Sequence, residues 1–144
     1  MSSRIVVALR STVARLAAGA SYQWGHLGMC NCGHLAQTVL EVAPAKIHTA
    51  ALERVGDWEA LANNYCPTSG FEIDDMITQL LALGLTTADL GHLEKLTDPA
   101  VLAALPGGHR WLRRNDRADL VAYLEAWACL LALELEQAPA QLAA

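Results

Sequence analysis

Asn115-Asp-Arg-Ala-Asp-Leu-Val-Ala-Tyr-Leu-Glu-Ala-Trp-Ala-Cys-Leu-Leu-Ala-Leu-Glu-Leu-Glu-Gln137 decides the fold class. The stretch holds no Gly or Pro and is dominated by Ala, Leu and Glu, which lose little side-chain freedom in a helix. Leu120, Leu124, Trp127 and Leu131 recur at helical spacing and form one inward stripe. A strand of this length would need strict alternation, and there is none. Asn115 or Asp116 supplies the start signal, so one long helix is expected to about Gln137.

Upstream, the same pattern repeats in shorter pieces. Pro106-Gly-Gly108 closes a short helix opened by Asp98-Pro99, and Thr86 or Thr87 caps another that reaches Leu96. A helix from Glu72 to Leu83 points Ile73, Met76, Ile77 and Leu80 inward and stops at Gly84. Asp57 caps a short helix whose Trp58, Leu61, Ala62 and Tyr65 share a face, before the Cys66-Pro-Thr-Ser-Gly70 loop. Helices are also expected from Pro44 to Val55, and from Asn31 or Gly33 to Val42. The first begins at Ser2 or Ser3 and runs to Ala20. Its stripe is Ile5, Leu9, Val13, Leu16 and Ala20, with Arg4, Ser11 and Arg15 opposite. The expectation is an all-α, compact single-domain bundle over 1–144, with about six to eight short helices and one long C-terminal helix.

Composition narrows the function. The formal charge of -5 argues against general nucleic-acid binding, which draws its affinity from Lys and Arg. Arg10 and Arg15 interrupt the N-terminal apolar run, so it reads as the first helix of the domain and not as an export or transit signal. No stretch has the length and apolarity of a membrane span, and a soluble, cytoplasmic protein is expected. There, four cysteines are expected to be thiols or ligands and not structural disulfides.

Chemistry concentrates in Trp24-Gly-His-Leu-Gly-Met-Cys-Asn-Cys-Gly-His34. This segment has two Cys, two His and three Gly, inside a charge-free run from Leu16 to Leu40. A helix starting near Cys30 puts Cys30 and His34 on one side, and the glycines permit a tight wrap that carries His26 back. Cys66, held extended by Pro67, is the natural distant partner. Cys30, Cys32 and Cys66 with His26 or His34 would make a Cys3His set for zinc, or for iron in an iron–sulfur cluster. The spacing matches no common finger. His48 and Glu41 are expected to support such ligands by hydrogen bonding. A metal-binding protein is the leading reading, and everything depends on Cys66 approaching the segment.

Two other readings stand beside it. A thiol-dependent enzyme or redox protein would use Cys66 or Cys32 as thiolate with a nearby His as base. A helical protein-interaction module without metal would use the Arg110, Arg113, Arg114 and Arg117 cluster or the surface around Cys129, with a protein partner or a second copy of the chain. Asp74 and Asp75 point about 100° apart on a helix and form no carboxylate pair; Asp75 falls on the solvent face and Asp74 at its border.

Overall fold

The computed structural model describes residues 3–143, with side chains described to Gln137. Eight helices follow in order among the described residues, with no strand. They are α1 (Ser3–Ala17), α2 (Asn31–Leu40), α3 (Pro44–Ala51), α4 (Trp58–Asn63), α5 (Glu72–Leu81), α6 (Thr87–Lys95), α7 (Pro99–Ala103) and α8 (Arg117–Ala143).

Several ends are set by the expected caps. The Asp57 side chain accepts from Ala60 N–H, and the Asp98 side chain from Ala100 N–H. Thr86 and Asp89 form a reciprocal capping box. Helices α1, α2, α3 and α5 stop sooner than expected, and two of these ends have a visible cause. The one begun at Asn31 ends at Leu40, because Glu41 turns into the left-handed region at φ 55° and Ala43, before Pro44, is extended. The one begun at Pro44 ends at Ala51, because Leu52 and Val55 are exposed and have no surface to pack on. Ser3 is the first helical residue of α1, and Ser2 as its cap lies outside the described residues.

The helices α1 and α8 are antiparallel. Arg117, at the start of α8, donates to the carbonyl of Leu16 at the end of α1, and Glu125 and Ala128 lie beside Arg10 and Ala14. The helix α4 packs on α6, and α2 touches α1, α3, α5 and α6. A helix with neighbours on so many sides is apolar or neutral all round. Accordingly every residue from Asn31 to Ala36 is buried. The stretch from Cys30 to Ala36 is thus at the centre of the bundle, whereas the loop residues 17–27 before it are exposed or half-buried. No helix among the described residues is long and apolar enough to cross a membrane.

Candidate functional site

The glycine-rich turn exists to bring backbones together. A Cβ at Gly28 would overlap the carbonyl of Pro44, and one at Gly33 would overlap the Leu27–Gly28 peptide. This lets the turn lie flat between the start of α2 and the start of α3. The carbonyl of Leu27 accepts from the indole of Trp58 at 2.7 Å, and its N–H donates to Nδ1 of His48 at 3.0 Å.

The expected ligands then face different neighbours. Cys30 directs its thiol at the carbonyl of Leu27 (3.7 Å), and Cys32 at the carbonyl of Leu90 (3.1 Å). Burial pushes both thiols well above their usual pKa, and the Glu94 carboxyl beside them adds to this. His34 lies between Nε2–H donating to Ser21 O at 2.8 Å and Nδ1 facing Arg15 Nη1 at 3.4 Å. Burial holds its pKa down at about 4, so it stays neutral. His26 stacks on His48 with centroids 4.1 Å apart, and its Nδ1 accepts from Gly28 N–H. Cys66 is exposed on the loop after α4, and its polar neighbour is the Thr68 hydroxyl at 3.6 Å.

The metal site expected from Cys30, Cys32, Cys66, His34 and His26 is therefore corrected. Among the described residues no group of three or more His, Cys, Asp or Glu side chains is placed to hold a metal ion. Helical geometry at the start of α2 sends Cys32 toward α6, while Cys30 faces the turn. Pro67 holds Cys66 out in solvent. Of the two expected supporting residues, His48 bonds the turn and Glu41 is exposed.

The thiol reading fares no better at Cys32, whose buried and protonated sulfur is no nucleophile. Cys66 does have a lowered pKa, through its hydrogen bonds with Thr68. The charged groups acting on it are Asp74 and Arg54, and not an imidazole.

The busiest polar residue of the segment is one that sequence reasoning passed over. Asn31 Nδ2 lies 3.2, 2.9 and 2.9 Å from the carbonyls of Leu93, Glu94 and Arg114, and its Oδ1 accepts from the hydroxyl of Tyr22 at 2.8 Å. One buried amide thereby ties α2 to the end of α6 and to the loop before α8. Glu94, also missed, is buried and accepts from Cys32 N–H at 3.1 Å, satisfying a first-turn donor of α2. Its position four residues after Leu90 puts it on the inward stripe of α6, which was the available signal. Asp74 is a third correction: it is buried and accepts from Arg54 and Ser69. The 66–70 loop folds over it, which helix periodicity does not reveal.

The loop tied down by Asn31 carries the largest exposed aromatic group. Trp111 is 79% exposed, its ring meeting His109 edge-on at 4.8 Å. Arg110 pairs with Asp119 at 3.5 Å, and Asp119 also accepts from Arg113 N–H at 2.7 Å. The Arg114 guanidinium sits over Trp24 at 6.0 Å, and Tyr22 donates to Arg114 O at 3.1 Å. The loop is thus braced at both ends with Trp111 presented between arginines. No family model, curated protein or solved structure matches this chain.

Proposed function

We propose that the chain is a helical protein-interaction module whose contact surface is the loop from Gly107 to Arg114. The carrying observation is Trp111, held almost fully in solvent between Arg110 and the Arg113–Arg114 pair. Trp and Arg are the side chains over-represented among residues that dominate binding energy. An indole left in water costs apolar hydration, which a partner's apolar group removes. The partner favoured is an acidic protein segment with apolar side chains. Arg113 and Arg114 have no carboxylate within ion-pair distance among the described residues, whereas Arg110 is already matched. Two guanidinium groups without a carboxylate partner, on a chain of charge -5, suit a short acidic peptide better than a nucleic-acid backbone, where many cations act together. Bracing by Asn31, Tyr22 and Asp119 lowers the ordering cost of binding.

The test is a fluorescence titration with a synthetic peptide alternating Asp or Glu with Leu or Phe, run beside an oligothymidylate. Binding of the peptide is expected to shift Trp111 emission to the blue, with a Kd on the order of 10 μM that weakens with salt. Trp111→Ala should remove the signal, and Arg113→Glu with Arg114→Glu should weaken binding by at least about tenfold. Preference for the oligothymidylate, or no peptide binding at millimolar concentration, overturns the reading.

A further inference from the structure

A second surface, on the opposite stretch of α8, bears a different signature. Arg10, Val13 and Ala14 of α1 face Glu125, Ala128 and Cys129 of α8 across an apolar groove of about 310 Å³. Arg10 and Glu125 form no ion pair among the described residues, although they line the same groove. The charge is partitioned by helix. Arg10 is the charge α1 places at this groove and Glu125 the charge α8 places there, whereas Arg15 is turned onto α2 and Asp119 is held by Arg110 and Arg113. Further along α8, Leu133 is an exposed apolar group.

We propose that a second copy of this chain covers the α1–α8 face, forming a two-fold dimer. The argument is charge complementarity under that symmetry. A two-fold axis running along the groove, parallel to the helices, lays α1 of each copy over α8 of the other. Level along the axis is preserved, so Arg10 meets Glu125 of the partner subunit, and the reciprocal pair forms by the same operation. Each helix is then antiparallel to the helix it covers, the arrangement of an antiparallel four-helix bundle. Ala14 and Cys129, small and exposed, let the helices of the two copies approach toward the short end of the usual range of about 8–10 Å. Apolar groove walls and Leu133 supply the buried area, and the reciprocal ion pairs fix the register. This surface is separate from the Trp111 loop, and neither proposal depends on the other.

Sedimentation equilibrium of the full chain, with charge-swap variants, is the test. The protein is expected to dimerise reversibly at micromolar to tens of micromolar concentration. Arg10→Glu alone and Glu125→Arg alone should each weaken the dimer by about tenfold or more. The double variant R10E/E125R should recover to within a few-fold of the parent. Both positions are exposed, and a circular-dichroism melt of each variant confirms that the fold is kept. Alkylation of Cys129 should slow as concentration rises through the dimer range, while that of Cys66 stays constant. A chain monomeric at several hundred micromolar overturns the proposal. So does a dimer indifferent to the swaps, a double variant that fails to recover, or alkylation of Cys129 that does not change with concentration.

Discussion

Asn31 illustrates how one buried amide does more for this fold than the cysteines on either side of it. It satisfies carbonyls from α6 and from the loop before α8, together with the Tyr22 hydroxyl. Asn31→Ala takes this donor from the Leu93 and Glu94 carbonyls, whereas Tyr22 and Arg114 keep their bond to each other, and a buried group that loses its partner costs about 1–3 kcal/mol. The expected loss is about 3 kcal/mol in a urea melt, with peptide binding at the Trp111 loop weakened as its anchor loosens. His34 makes a pH-dependent contribution. The unfolded imidazole titrates near 6.5, whereas the folded one is held neutral with a pKa of about 4 by burial, with Arg15 and Arg117 nearby adding to the effect. The unfolded state therefore binds the proton first. The contribution is complete above pH 6.5, is lost as pH falls toward 4, and changes no further below that. It is worth on the order of 2 kcal/mol, allowing for solvent screening near the half-exposed Arg15. Glu94 works in the opposite direction, since burial raises its pKa and acid relieves the cost of its charge. Melts of His34→Gln between pH 7 and 4 should show a flatter decline than the parent. Equal slopes would remove His34 from the account.

At the scale of elements, the starts of helices were more legible than their ends. Asp57, Thr86 and Asp98 cap through side chains whose chemistry is local, so spacing in the sequence was enough to find them. Ends depend on what a helix packs against, and α3 stops where Leu52 loses its neighbours. The end of α2 is a strained case. Glu41 occupies the left-handed region at φ 55°, where a Cβ costs about 1 kcal/mol and glycine is the favoured residue. Its side chain is exposed, so nothing is lost by removing it. Glu41→Gly should raise stability by about 0.5 kcal/mol, read as a small increase in thermal midpoint. A fall in midpoint would mean that the carboxylate has a role. Leu96 has the same conformation but is buried, and its packing outweighs the same relief.

Across the whole molecule, the four thiols divide by depth and not by motif. Cys30 and Cys32 are buried at the centre, whereas Cys66 and Cys129 are exposed. Iodoacetamide at neutral pH should label Cys66 first, Cys129 at a rate set by self-association, and Cys30 and Cys32 only through global unfolding. Peptide mapping of a time course checks this, and rapid labelling of Cys32 in the folded protein would contradict the packing described above. The all-α class, the long last helix and most helix starts are written into the amino-acid order, because periodicity and capping act over a few residues. The lack of charge in Trp24–His34 also points to enclosure, which holds from Cys30 to His34, whereas Trp24 to Leu27 lie half-buried or exposed. What the buried part of that segment does is settled by packing. Where Cys66 lies relative to Cys30 depends on how α4 and its loop pack, and no local spacing encodes that. The same holds for Asn31 and Glu94, whose partners are more than sixty residues away in sequence or on a facing helix. Their partnership comes from long-range packing, which turned a suspected metal site into the polar centre that braces the bundle.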